Sequence, residues 1–423
     1  MKYLVLALTL AFSGKTMAQD TYLQCGRLVD TGSGKILKEK TIVVSGEKIS
    51  RIENGYVSGA SKDKVVDLRS KTVLPGFIDM HVHIESQSSP KAYINRFTMN
   101  EADIAFESSV YARRTLMAGF TTVRDLGGTG VNIALRKAIS KGLVEGPRIF
   151  TAGKAIATTG GHADPTNGRK KELMGDPGPR EGVVNSPEDG KKAVRQRYKD
   201  GADVIKITAT GGVLSVAKSG RNPQFTIPEI KAITEIAADY GMLTAAHAHG
   251  DEGMQRAVKG GIKTIEHGSF MSEETMELMK EYNAYMVPTI TAGKKVAEKA
   301  EVKGYFPDVV AQKAREIGPL IQDTFARAYK RGVPIAFGTD AGVFPHGENA
   351  AEFVYMTEAG MPIMEALQAA TVTNADLLGM GDELGQLKAG YIADIVAVEG
   401  DPLKNVELLQ QVDFVMKEGK IYK

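Results

Sequence analysis

Pro75-Gly76-Phe77-Ile78-Asp79-Met80-His81-Val82-His83 is an apolar run that closes on two histidines. Its length and apolar character read as a buried strand. Residues at i and i+2 of a strand share a face, so His81 and His83 point the same way. Two neutral imidazoles at the end of a buried strand suit one divalent cation. The plainer alternative, two partly exposed surface histidines, fits a solvated strand better than this one.

The run itself spans Gly76–Ile84, and seven further short runs follow it: Thr121–Leu126, Arg148–Ala152, Val204–Ala209, Leu243–His247, Thr264–His267, Ala284–Pro288 and Pro334–Asp340. Helical patterns separate most of them. Pro228–Tyr240 is one, with Thr226 as its cap and Glu229 completing a capping box. Ser186-Pro187-Glu188 opens another, with Pro at the first helical position. Strand–helix alternation of this kind predicts an α/β fold, a (β/α)8 TIM barrel over residues 75–387. A doubly wound open sheet is the runner-up. In a barrel, chemistry belongs at the carboxyl ends of the strands.

The flanks have a different texture. Leu23–Val29, Lys40–Val44, Lys48–Ile52 and Lys64–Asp67 are short strands separated by Gly and Ser turns, and Gly390–Lys423 repeats the pattern. The simplest packing joins residues 19–74 and 388–423 into one composite β-sandwich. Met1–Ala18 has Lys2, an apolar Tyr3–Phe12 stretch and small residues at Thr16 and Ala18. That is the pattern of a secretory signal peptide, too short to span a bilayer comfortably. The expectation is an exported protein without a membrane span in its mature form, periplasmic in a Gram-negative source.

Composition narrows the function classes. Apolar residues are 43% and charged residues 25% of the 423, which excludes disordered, collagen-like and coiled-coil readings. Lys plus Arg is 53 against 51 Asp plus Glu, so no basic face points to nucleic acid. Cys25 is the single cysteine, which leaves no intrachain disulfide and no CxxC site.

The remaining chemistry-bearing residues sit at strand ends. Four of the seven histidines (His81, His83, His247 and His267) close runs, and Asp340 closes the last one. Together they offer four nitrogens and a carboxylate, a ligand set for zinc or another divalent transition metal. Lys206 lies within Val204-Ile205-Lys206-Ile207-Thr208. If it turns inward, burial favours its neutral amine. A neutral amine can take up carbon dioxide to form a carbamate, a carboxylate in shape and charge. The residues alone favour the other orientation, a lysine reaching solvent.

As a set, these residues resemble the metal-dependent amidohydrolase superfamily. HxH, lysine, histidine, histidine and aspartate fall in that order on runs one, four, five, six and eight. The motifs are Pro75–His83, Val204-Ile205-Lys206-Ile207, His247-Ala248-His249-Gly250, Ile265-Glu266-His267-Gly268 and Gly338-Thr339-Asp340-Ala341-Gly342. Thr159-Gly160-Gly161-His162, Ala209-Thr210-Gly211-Gly212-Val213 and Phe344-Pro345-His346-Gly347 look like imidazolonepropionase-related exported dipeptidases, of Xaa-Pro dipeptidase and Xaa-Arg/Lys carboxypeptidase type.

The resemblance implies two zinc ions. One is held by His81, His83 and Asp340, the other by His247 and His267, with N6-carboxylysine at Lys206 bridging them. It also implies that a metal-bridging hydroxide attacks an amide carbonyl while Asp340 moves the proton. The implied substrate is a dipeptide or a carboxyl-terminal residue; a cyclic or N-acyl amide is the alternative. His162 and His249 are candidate substrate contacts, with structural roles comparably well supported by the residues. Lys218 and Arg221 are candidate partners of a terminal carboxylate, and Glu348 of a basic side chain. Some proline-releasing relatives are expected to use a tyrosine where this chain has Phe225, which cannot donate a hydrogen bond. Barrel enzymes of this kind often form homo-oligomers, and one chain displays no interface. Asn167–Gly182 and Val213–Gln224 are long loops that raise the question of lids.

Overall fold

The computed structural model describes residues 19–423, and the expected signal segment lies outside them. The chain starts with four strands, β1 (Thr21–Asp30), β2 (Lys35–Ser45), β3 (Lys48–Asn54) and β4 (Lys64–Pro75). Gly76 alone separates β4 from β5 (Phe77–Val82), so the chain passes from the flank into the barrel within one residue. Then follow β6 (Phe120–Asp125), β7 (Arg148–Thr151), β8 (Val204–Thr208), β9 (Leu243–Ala248), β10 (Thr264–His267) and β11 (Tyr285–Val287). β12 (Ile395–Glu399), β13 (Val412–Lys417) and β14 (Lys420–Ile421) complete the flank.

β5, β6 and β7 pair in parallel, as do β8, β9, β10 and β11. Two joints close these sheets into a (β/α)8 barrel. Ile156 bridges Ile207 on β8. On the other side, residues 335–341 lie between β11 and β5, bridging Met286 and Val82. Met80 N donates to Phe337 O at 3.0 Å and Asp340 N to His81 O at 2.7 Å. The eighth run is therefore a bridging segment rather than the regular strand Pro334–Asp340 that its sequence predicts. The reason is local: Asp340 takes a left-handed φ of 62°, which breaks a ladder. Closure removes the open doubly wound sheet from consideration.

β5, β6, β8 and β10 are buried along their whole length, as strands covered by helices on one side and barrel interior on the other must be. Phe77, Phe120, Phe337 and Phe353 pack with ring centroids 4.4–5.8 Å apart across the β5 and β6 entry points. The expected helices form with their expected caps. Thr226 and Glu229 make the capping box of Ile227–Asp239, and Ser186 accepts from Asp189 N at the start of Pro187–Asp200.

The flank strands form one seven-stranded sheet in the order β14-β13-β12-β4-β1-β2-β3. It curls until β3 meets the carboxyl-terminal segment, where Lys48 bridges Ile392. Its inner face has its own core, including Leu23, Cys25, Ile42, Val73, Ile395 and Phe414. Arg148 on β7 ties sheet to barrel through Asp394 at 2.8 Å and Glu418 at 2.7 Å. Among the described residues, no helix is long and apolar enough to cross a membrane.

Candidate metal centre

His81, Lys206, His247, His267 and Asp340 are all buried at the carboxyl end of the barrel, and His83 is half-buried beside them. The residues alone turn Lys206 outward. The structure turns it in, 4% exposed, with Nζ 3.5 Å from His81 Nε2. Asp340 Oδ1 lies 3.5 Å from His81 Nε2 and 3.4 Å from His83 Nε2. Two sets of three potential ligand atoms lie within 4.8 Å of one another: His81, His267 and Asp340, and His247, His249 and His267. His267 belongs to both, so the sets adjoin.

Each of these imidazoles has one nitrogen held by a carbonyl, carboxylate or hydroxyl oxygen. His81 Nδ1 meets Glu266 Oε2 at 2.9 Å and His83 Nδ1 meets the Gly127 carbonyl at 2.7 Å. His267 Nδ1 pairs with Thr289 Oγ1 at 2.7 Å, and His249 Nδ1 with Ser269 Oγ at 2.7 Å. His247 reverses the pattern, with Nε2 against the Gly211 carbonyl at 3.1 Å. A ring nitrogen hydrogen-bonded to a carbonyl or carboxylate carries the proton, so His81 and His83, whose Nε2 atoms make no hydrogen bond to Asp340, present bare Nε2 atoms and His247 a bare Nδ1. Burial, then neighbouring positive charge, holds His81, His247 and His267 well below the ordinary histidine pKa. Burial drops His162 and His249 to about 3 and Lys206 to about 8, and lifts Asp340 to about 6.

These facts test whether the residues fit a cation. Asp340 Oδ1 is buried with no hydrogen-bond partner, facing two bare imidazole nitrogens. Lone pairs converging without a proton between them are repulsive, and a buried orphan acceptor is costly. A divalent cation removes both problems, and the nitrogen and oxygen donors match a transition metal. Backbone strain falls in the same place. His267, Thr289 and Asp340 have left-handed φ values of 74°, 53° and 62°, a conformation that side-chain-bearing residues adopt at a cost.

Reading the residues one by one misses the partners that aim the ligands. Glu266 is fully buried, and its second oxygen takes Arg124 Nη2 at 2.9 Å. Strand alternation places Glu266 and His267 on opposite faces; the left-handed turn at His267 brings both into the interior. Asp79 accepts from His81 N, Thr339 N, Thr339 Oγ1 and Asn349 Nδ2, locking β5 to the closing segment. Asp79 shares a face with His81 and His83, a signal the sequence does carry.

His162 stacks on His247, ring centroids 4.3 Å apart, with its Nδ1 buried and unpartnered. His346 is held away from this cluster, its Nε2 on the Ser86 carbonyl and its ring on Tyr111. Phe225 is buried in the barrel core rather than displayed on the loop. Lys218 is exposed, and the Arg221 guanidinium lies over Phe270 at 3.8 Å. Glu348 already has a cation, Lys295, at 3.2 Å.

Residues 72–422 match the Amidohydrolase family. The chain belongs to that family. This amidohydrolase is therefore a metal-dependent enzyme that hydrolyses C–N bonds. It is 51% identical, with a TM-score of 0.93, to a solved Xaa-Pro dipeptidase with methionine bound in its active site; 96% of this chain and 100% of the other are covered. A prolidase solved with N-methylphosphonate-L-proline is 33% identical with a TM-score of 0.88, covering 96% and 100%. Ochratoxinase of Aspergillus niger is 32% identical over 96% of this amidohydrolase and 87% of its own length.

Proposed function

We propose that this amidohydrolase is a binuclear zinc dipeptidase that releases a carboxyl-terminal proline or hydrophobic residue. The observation that carries the metal is the convergence of His81 Nε2, His83 Nε2 and the unpartnered Asp340 Oδ1. These three residues would hold one ion. His247 and His267 would hold the second, and Lys206 as a carbamate would bridge the pair. Bound zinc supplies Lewis acidity and a water that ionises near neutral pH.

The protein's own groups do the rest. Glu266, Gly127, Gly211 and Thr289 fix which imidazole nitrogen faces the centre. Asp340, itself one of the three residues that would hold the first ion, would accept a proton from the attacking water and pass it to the departing amine. His162 and His249 line the same mouth, where a peptide's polar atoms would meet them. The likeness to the Xaa-Pro dipeptidase with bound methionine supports a dipeptide substrate. The Glu348–Lys295 pair weighs against a site that reads a basic side chain. On the Met1–Ala18 segment, we further propose export of the mature chain 19–423.

The test is a dipeptide library offered to residues 19–423 with zinc and bicarbonate, with and without chelator, alongside a metal count. Chelator-sensitive release of amino acid with about two metals per chain is the expected result. Two metals without dipeptide cleavage would move the substrate to cyclic or N-acyl amides. No metal under any condition would end the reading.

A further inference from the structure

Three helices, Ile290–Ala300, Asp308–Ile317 and Leu320–Lys330, separate β11 from the closing segment. Lys313 on the middle one is 5% exposed. Its Nζ donates to the carbonyls of Gly212 at 2.7 Å, Ser215 at 2.6 Å and Ala217 at 2.8 Å. An ammonium has three protons, so one loop uses all of them. Burying a charge to hold backbone carbonyls is expensive where an apolar side chain would pack instead. The expense marks a loop that must not move.

That loop follows β8, and its first peptides touch the metal centre. Gly211 O accepts from His247 Nε2, and Gly212 O, the next carbonyl, accepts from Lys313. A Cβ on Gly212 would stand 2.2 Å from the His162 ring, and one on Gly211 would stand 1.9 Å from Ser219 O. The loop therefore folds tightly on itself and presses against the imidazole that stacks on His247. Tyr93 Oη donates to Leu214 O at 3.2 Å and adds a second tie to the loop.

We propose that Lys313 is a positioning residue: it fastens residues 211–219 across the barrel mouth and thereby sets the His247 tautomer and the seat of His162. The proposal rests on the hydrolytic reading of the centre, and its test separates the two. Lys313→Met and Lys313→Arg are made in the mature, zinc-loaded protein. Three quantities are read: amide hydrogen exchange over 211–219, zinc release to a chelator, and kcat and KM on the best dipeptide.

In Lys313→Met, exchange over 211–219 rises at least tenfold and zinc release quickens, while exchange in β1–β4 stays as in the wild type. KM rises more than kcat falls, and Lys313→Arg restores most of the protection. Wild-type exchange over 211–219 in Lys313→Met overturns the fastening. Faster exchange with unchanged zinc release and unchanged KM overturns the positioning. If the Met variant does not fold, Lys313→Gln, which keeps two donors, is read in the same way. A wild-type protein that holds zinc but cleaves no dipeptide refutes the peptidase reading alone; exchange and zinc release still decide Lys313.

Discussion

At Lys206, burial and chemistry meet in a single side chain. Its amine sits among imidazoles, 3.5 Å from His81 Nε2. Lys206→Ala is expected to abolish activity and lose bound metal, with partial rescue by added acetate or formate. Full activity in that variant would remove the carbamate. Thr289 offers a finer probe. Its hydroxyl pairs with His267 Nδ1, and its φ of 53° is strained. Thr289→Val keeps the shape and deletes the bond, so metal affinity should fall about tenfold while Thr289→Ser keeps it. Competition with a chromogenic chelator measures both.

At the scale of elements, one carboxylate ties the helix that follows β11 to a later helix, Ala351–Glu358. Glu352 is fully buried and accepts from Ile290 N, Thr291 N and Thr291 Oγ1, closing the amino terminus of Ile290–Ala300. Glu352→Gln sets an amide N–H against one of those donors and is expected to cost about 1–3 kcal/mol. Denaturant titration reads the loss, and an unchanged midpoint would contradict it. The helices on either side of β8, Pro187–Asp200 and Ile227–Asp239, are legible in sequence, because Ser186 with Pro187 and Thr226 with Glu229 carry local caps. The eighth strand is not: Asp340's left-handed backbone is imposed by β5 and the Asp79 network, which lie far away in the chain.

Across the whole molecule, the joint between sheet and barrel is ionic at Arg148. Breaking it with Arg148→Met leaves Asp394 buried and unpaired, at a cost of about 3 kcal/mol. Glu418 gives the joint a pH dependence. Burial pulls its pKa up, but Arg148 and Lys417 outweigh this and hold it below the usual 4.5. A folded-state pKa below the unfolded one adds stability above pH 4.5 that is lost as pH falls through the lower value. Wild-type stability should therefore decline below pH 4.5 more steeply than that of Arg148→Met. Parallel declines in unfolding free energy would show that the joint does not titrate.

The residues by themselves determined the strand–helix period, the two β-rich ends and the placement of His81, His83, His247, His267 and Asp340 at the ends of apolar runs. Periodicity and local caps are short-range signals, and a barrel converts strand ends into one mouth. Resemblance, not spacing, pointed to Lys206 as a ligand. Only the tertiary structure decided that Lys206 faces inward, which nitrogen each imidazole presents, and that Glu266, Thr289 and Lys313 stand behind the site. Those partners act through backbone carbonyls and side chains distant in sequence. A carbonyl is present at every residue, so its role becomes visible only once the fold places a donor against it.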